Sequence, residues 1–478
     1  MGKPAMIVAM SVVAGLGLSG CAVGPNYRKP ATTLAGFHSA AAVQARTTGT
    51  SAPALDRWWL GFDDPELTRI VERTLHQNLD LAAAIARVEQ ARAAAREAGA
   101  QLLPAADLTA QAARIHESLE SPIGAVARHL PDFQRDQSEY DVGAGASWEI
   151  DLFGGLRRGA QAATAEAQAA EAEQVGTHIM VAADAADAYF QIRGDQARIE
   201  VARDQVTTDQ RLVELVERRF RSGVATDREL AQAQALLSQA RASLQPLAID
   251  LEAQLNRLDV LMGAQPGTCA AELKLPQQIP PAPAIPNDGT PTNVLRRRPD
   301  VIAAERRLAA ANARIGEAIS EYYPKISISG LLGFESPSTG HLFRAATFQP
   351  EALAGLRWRL FDFGKVDAEV AQAKGANAEA LADYRRSILH AVEDVENAFT
   401  SLVQLEAHTQ ELEHEVAALK RARDSSQKAY AAGVIPLTDV LDADQQLLAA
   451  QDQLALTRAN TDQAAVQSFR AIGGGWGS

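Results

Sequence analysis

The sequence predicts a mainly α-helical chain with a small β part, built as two tandem copies of one unit. Landmarks recur at one spacing: Gly223 and Gly433, Trp148 and Trp358, Gly154 and Gly364, and Tyr189 and Phe399 each stand 210 residues apart. One spacing shared by several landmarks marks a duplication. Ile192, Ile199, Val206 and Val213 recur every seven residues within a proline-free stretch, the period of a long packed helix. Tyr140, Val142, Ala144, Ala146, Trp148, Ile150 and Leu152 alternate with polar or small residues, the period of a half-buried strand.

The chain begins with a targeting pattern. Lys3 precedes an apolar run from Ala5 to Leu18, as in a secretory signal over 1–20. Leu18-Ser19-Gly20-Cys21 follows, small residues before a cysteine, which predicts cleavage before Cys21 and its acylation. Residues 21–60 are polar, with Pro25, Pro30 and Pro53, and read as an extended, lipid-anchored tether. The first repeat is placed at 61–265. Its opening helix is capped by Asp64, carries Pro65 in its first turn, and runs through Leu67, Ile70, Leu75, Leu81 and Val88 to about Leu103, where Pro104 stops it. A Pro-rich connector at 266–292 leads to the second repeat at 293–478. There Pro299-Asp300 opens the matching helix, and its Pro324 stands 220 residues after Pro104. The offset falls from 220 to 210 before Trp358, so ten residues are missing there, which marks a surface loop.

The strands are placed at 104–116 and 138–152, and at 324–335 and 350–362, separated by polar loops at 117–139 and 336–349. Strands of about ten residues with one apolar face suit a transmembrane barrel. Two soluble hairpins fit the periodicity equally well. Beyond residue 21 no apolar run reaches the roughly 18 residues of a spanning helix, so a membrane crossing needs a barrel. Four strands cannot close one alone, and several chains would have to share it.

The glycine breaks Gly154-Gly155 and Gly364 end each strand pair. The helices that follow would each be about 100 Å long at 1.5 Å per residue. They end at sharp turns, Ser222-Gly223-Val224 and Ala432-Gly433-Val434, where glycine can take the left-handed conformation that closes a helix. Thr226 is the expected N-cap of the first return helix, and Pro436 fits the first turn of the second. Leu230, Leu237, Leu244, Leu251 and Leu258 keep the seven-residue repeat in the former, where Pro246 predicts a kink or break.

The 478 residues carry a net charge of −13 and only 5 % aromatics. The charge excludes nucleic acid as partner, since phosphate binding needs clustered Lys and Arg. The alanine-rich pattern suits slender, close-packed helices. Two cysteines and nine scattered histidines give no metal spacing, and no nucleophile or phosphate-loop motif is visible. Neither an enzyme, a metal nor a cofactor is expected, apart from the covalent lipid at Cys21. Arg296-Arg297-Arg298-Pro299-Asp300 reads as a helix start with solvated arginines rather than a phosphate site.

Taken in order, these parts resemble the outer membrane factor family of efflux and secretion ducts, the TolC and OprM group, in its NodT-like lipoprotein branch. The stretches that carry the resemblance are Leu18–Cys21, Trp58-Trp59 with Asp64-Pro65, Trp148 through Gly154, Arg297 through Glu305, and Gly433 through Ala443. The resemblance implies a homotrimer. Each chain gives four strands to one shared outer-membrane β-barrel, and the long hairpins form a periplasmic α-barrel. It implies a passive exit duct that carries drugs or other small molecules, with a periplasmic membrane-fusion adaptor and an RND-type inner-membrane pump as partners. Protein secretion, metal efflux, or a poreless lipoprotein scaffold are the alternatives. Residues 222–224 and 432–434 then become adaptor-contacting tips, and Asp439 and Asp442 the periplasmic gate. By position alone, those two carboxylates are also what the first turn of a helix favours.

Overall fold

The structure, a computed structural model, describes residues 22–476 apart from 33, 47–51, 132, 269–271, 274–275 and 287–290. The expected signal segment, Cys21 and Cys269 lie outside the described residues. The helices are α1 (Ala40–Gln44), α2 (Pro65–Gln77), α3 (Leu79–Ala100), α4 (Pro122–Ala127), α5 (Gly155–Arg221), α6 (Asp227–Leu261), α7 (Pro291–Arg297), α8 (Pro299–Ser320), α9 (Lys365–Ala431) and α10 (Leu437–Ala471). The strands are β1 (Ala105–His116), β2 (Asp136–Ile150), β3 (Lys325–Ser336) and β4 (Phe348–Arg357). α5 and α9 have 67 residues each, and α6 and α10 have 35 each. The chain divides into two compact units, and each draws on both repeats.

One unit comprises Met1–Pro30, Glu89–Ala169 and Glu305–Asp383. It holds one antiparallel sheet in the order β1-β2-β3-β4. The duplication is preserved to the residue. Ala105 pairs with Ser147 and Lys325 with Arg357; Arg114 pairs with Ser138 and Phe334 with Phe348. These partners differ by the offsets 220 and 210. Trp148 donates its indole N–H to Leu102 O at 3.0 Å, and Trp358 does the same to Tyr322 O at 2.9 Å. Below the sheet, α5 and α8 meet through Ala162, Ala165, Ala310 and Ala313, small residues that allow close helix approach.

Several expectations need correction here. β2 stops at Ile150 because the Asp151 carboxylate accepts from Leu156 and Arg157 N–H and so caps α5. β4 stops at Arg357, which leaves Trp358 and Leu360 outside the strand. The break before α5 lies at Gly154, with φ +81°; Gly155 is the first helical residue. A Cβ on Gly155 would come within 2.2 Å of Ser320 Oγ, so close packing is what requires its glycine. The residues after position 21, expected as an extended tether, are pinned by distant contacts. Val23 N–H donates to Phe153 O at 2.9 Å, and the buried Arg158 holds Val23 O, Gly24 O and the Asn26 side chain. Tyr27 and Lys29 both reach Glu305. These partners come from distant sequence, and so periodicity could not reveal them.

The other unit comprises Ala31–Val88, Ala170–Ala304 and Tyr384–Ser478. Its main core gathers Trp58, Trp59 and Phe62 from a 3₁₀ turn, Tyr189 and Phe190 from α5, Phe399 and Leu402 from α9, and Phe469 from α10. Trp58 stacks on Phe469 with centroids 5.4 Å apart. Asp64 caps α2 by accepting from Glu66 and Leu67 N–H, and its second oxygen takes the buried Tyr189 hydroxyl at 2.6 Å.

The opening helix, expected as one piece to Leu103, is two helices separated at Asn78. Asn78 accepts from Leu81 N–H and donates to Leu261 O, both at 2.9 Å. Its second-repeat equivalent, Arg298, separates α7 from α8. Arg298 is not solvated: it is buried, bonding Asp300, Asp394, and the Ala391 and Ala471 carbonyls. At Pro246, where a kink or break is expected, there is no break: α6 runs through it. The carbonyl four residues back, which proline cannot serve, belongs to Ala242, an exposed residue. Leu247 packs with Ile199 and Ala202 of α5 and holds the helix in place.

Candidate functional site

The two tips are built alike. At the end of α5, Gly223 has φ +73°, and at the end of α9, Gly433 has φ +78°. Gly223 N–H donates to Phe220 O and Val224 N–H to Arg219 O; Gly433 and Val434 repeat this onto Tyr430 O and Ala429 O, all at 2.9 Å. This is the Schellman closure of a helix. A Cβ at either glycine would meet nothing within 4 Å, so the left-handed backbone, not crowding, demands glycine. Ser222, Gly223 and Val224, and Ala432, Gly433 and Val434, are all exposed. They form two small, neutral knobs.

Beyond the tips the copies diverge. Thr226 caps α6 in a capping box with Glu229. The Glu229 carboxylate accepts from Thr226 N–H at 2.7 Å, and that backbone bond holds it below its ordinary pKa. In α10, Asp439, the equivalent of Glu229, and Asp442, the equivalent of Gln232, are both exposed. They lie one helical turn apart and share a face. Pro436 takes the N-cap position, one residue ahead of the expected first turn, and offers no side-chain cap. The Asp439 carboxylate is therefore free of the capping work that occupies Glu229.

What ties the two hairpins together was not legible in the sequence. The Arg219 guanidinium lies over the Tyr430 ring, 4.6 Å from its centroid, and donates to Tyr430 O at 2.9 Å. Tyr430 is buried among Leu212, Val213, Val216, Leu237, Leu437 and Val440. Next to this core, Asp444 is fully buried, with Arg423 Nη1 3.6 Å away. Asp209 is fully buried as well. Burial, then the charge of Asp444, pushes Asp209 up to about 6. A lone Arg or Asp on a helical face gives no sequence signal that its partner lies more than two hundred residues away.

The sheet is the second functional surface. Its register places Leu108, Ala110 and Ala112 with Val142, Ala144, Trp148, Ile326, Ile328, Leu332, Phe334, Phe348 and Leu356 on one face. Asp107, Thr109, Gln111, Ser147, Glu149, Ser327, Ser329, Glu351 and Arg357 share the other. The apolar face is bare: Leu108 is 76 %, Leu332 63 % and Leu356 66 % exposed. Among the described residues no helix is long and apolar enough to cross a membrane, and no cluster of metal-binding side chains occurs.

Long helical hairpins joined to a two-faced sheet define a duplicated protein of the outer-membrane-duct class. The family model described as outer membrane efflux protein matches residues 70–264 and 290–474, and the chain belongs to that family. It is 33 % identical to the pyoverdine export outer membrane protein OpmQ of Pseudomonas putida, over 90 % of each chain. It is 30 % identical to the toluene efflux pump outer membrane protein TtgF of Pseudomonas putida, over 98 % of this chain and 96 % of that one. The solved outer-membrane channel OprN superposes with a TM-score of 0.87 at 31 % identity, covering 95 % of this chain and all of that one. The open state of the Neisseria gonorrhoeae MtrE channel gives a TM-score of 0.80 at 27 % identity, covering 95 % and 99 %.

Proposed function

We propose that this protein is the outer-membrane exit duct of a tripartite efflux system, a passive channel through which an inner-membrane pump and a periplasmic adaptor expel small organic molecules. The observation that carries the reading is the sheet: four strands, one apolar face open to lipid, one polar face suited to a water-filled lumen, and two unpaired edges. A poreless scaffold has no use for such a sheet. The edges and the strand number call for several copies around one barrel, and the family pattern gives three. Acylation at Cys21 would hold the chain to the outer membrane; Ala22 lies against Gly154, at the end of the strands, which suits an anchor at the membrane edge. The exposed tips at 222–224 and 432–434 are the adaptor contacts, and an RND-type pump is the energised partner. The transport of pyoverdine and toluene named for the relatives points to small organic cargo.

In this reading Asp439 and Asp442 from three copies ring a narrow axis, where like charges repel and attract cations. The clasp of Arg219 on Tyr430, with its buried apolar surround, supplies the opposing hold. The test is planar-bilayer conductance of the purified protein beside the Asp439→Ala/Asp442→Ala variant. Small, rarely open currents are expected for the native protein, and severalfold larger ones for the variant. Free conduction by the native protein would remove the gate from the proposal. No conduction by either, with insertion confirmed, would favour the scaffold.

A further inference from the structure

The two hairpins of the chain meet along a seam between α5 and α10, whose polar residues pair in antiparallel order. Gln463 donates to Asp187 O at 3.1 Å. Nearer the tips, Arg198 forms a two-pronged ion pair with Asp452 at 2.7 and 3.1 Å. Nearer still, the seam carries Asp209 on α5 and Asp444 on α10, both 0 % exposed. Gln205 donates to Asp209 Oδ1 at 2.8 Å. Asp209 Oδ2 and both Asp444 oxygens have no hydrogen-bond partner among the described residues. From α9, Arg423 stands 3.6 Å from Asp444 Oδ1, too far for a hydrogen bond, and donates instead to exposed Asp424 at 2.9 Å. From α6, exposed Arg241 donates to Gln210 at 2.8 Å.

Two buried carboxylates beside one divided arginine are costly to keep charged. The fold does not require acids here. By the offset of 210, the matching positions of the other repeat are Leu419 and Gln234, neither of them charged. The place of the layer gives it a consequence. Asp209 lies one helical turn before Leu212 and Val213, and Asp444 one turn after Val440. Those three residues line the core that buries Tyr430, the residue gripped by Arg219. A change of charge in the layer therefore acts on the packing that holds the tips together.

We infer that the Asp209–Asp444 layer holds an exchangeable proton that latches α5 to α10: with the proton bound the seam stays closed, and its release to the surrounding water leaves buried like charges that loosen the tip. This rests on the exit-duct reading and adds a proton switch to its closed end. Burial, then the Asp444 charge, pushes Asp209 up to about 6; burial raises Asp444 as well, with Arg423 offsetting part of the rise. A group that binds its proton more tightly in the folded seam stabilises it fully below the unfolded value near 4. That contribution is lost as pH rises through about 6. The tip is firmest in acid and loosest in neutral or alkaline surroundings.

Infrared titration and planar-bilayer conductance of the full-length protein test the two halves of the inference. The native protein is expected to show the carbonyl band of a buried, protonated carboxylic acid at pH 5, with a component that fades around a midpoint of about 6. Asp209→Asn is expected to lose that component. Asp444→Asn removes the repelling charge, and is expected to lower the midpoint while burial keeps the component. Open probability is expected to rise about ten-fold between pH 5 and pH 8 in the native protein, a typical coupling between two sites, and to stay at its pH 5 level in Asp209→Asn. Adding Asp439→Ala/Asp442→Ala is expected to enlarge the currents and keep their pH dependence, since its source lies outside that ring. If Asp209→Asn leaves the infrared titration unchanged, the proton is overturned. If the component titrates but conductance ignores pH, or if the pH dependence vanishes with Asp439 and Asp442, the latch is overturned while the duct stands. Absence of conduction from every variant, with insertion confirmed, overturns the duct and the latch with it, and the infrared titration then decides the proton alone.

Discussion

Gly433 and Gly223 take positive φ in open space, and they are tests of conformation uncoupled from packing. Gly433→Ala is expected to destabilise the protein by about 1 kcal/mol, the cost of a left-handed Cβ. By contrast, Gly375→Ala is expected to be neutral or stabilising by up to about 1 kcal/mol, since Gly375 lies inside α9 with nothing within 4 Å of a Cβ. Chemical denaturation of both variants checks the pair; an equal loss at Gly375 would mean that the helix cannot accept a Cβ there, and that the loss at Gly433 does not isolate backbone conformation. Asp439 and Glu229 hold equivalent positions but differ in side-chain length and in their neighbours. Thr226 engages Glu229 in a cap, whereas Pro436 leaves Asp439 to solvent. The change from Thr226 to Pro436, three positions before the carboxylate, thus separates a capping carboxylate from an exposed one.

Among the elements, the two short helix pairs show how the duplication keeps a shape while changing its chemistry. Asn78 and Arg298 both interrupt a helix, the first with a neutral amide and the second with a buried cation. Arg298 has half-exposed partners in Asp300 and Asp394, so its Coulomb gain is discounted. The carbonyls of Ala391 and Ala471 are the larger stake. Arg298→Ala is expected to cost about 2 kcal/mol, the scale of charge-assisted hydrogen bonds lost together. Arg298→Lys is expected to recover little, because one ammonium cannot reach the carbonyls and both carboxylates. Thermal unfolding of the two variants decides this; full rescue by lysine would show that charge alone matters. Pro246 shows the converse, an element that survives a bad residue. The residue whose carbonyl it cannot serve, Ala242, is exposed, and Leu247 still packs on α5.

For the whole molecule, the unit that carries the tips buries a series of acids along its long helices. Asp187 is pushed up to about 7, chiefly by burial and then by the charge of Asp184. Burial pushes Asp195 up to about 6, and it drives Asp462 well above the ordinary carboxylate range, with the Glu406 charge adding to it. An acid that binds its proton more tightly folded than unfolded contributes stability at low pH. For Asp187 that contribution is full below its unfolded value near 4 and is lost as pH rises toward about 7. Asp187→Asn is therefore expected to gain stability relative to the native protein at pH 8 and to gain much less at pH 5. Denaturant midpoints at the two values check it; an equal gain at both would mean that Asp187 does not titrate in this window.

The chain's periodicities and landmark spacings determined its class. Duplication, strand alternation, heptad helices and glycine tips are local or strictly repetitive, and local backbone preference together with the side-chain period is enough to read them. The polar loops, the caps at Asp64 and Thr226, and the equivalence of the two sheet hairpins followed from the same source. Other features were decided by tertiary contact alone. These are the Asn78 and Arg298 interruptions, the pinned residues 23–29, the Arg219–Tyr430 clasp, the buried Asp209 and Asp444, and the early end of β4. Except at the end of β4, each is a polar group whose partner lies far away in sequence. The free energy of such a pairing depends on where the fold brings the partner, and that information is absent from the spacing of residues along one segment.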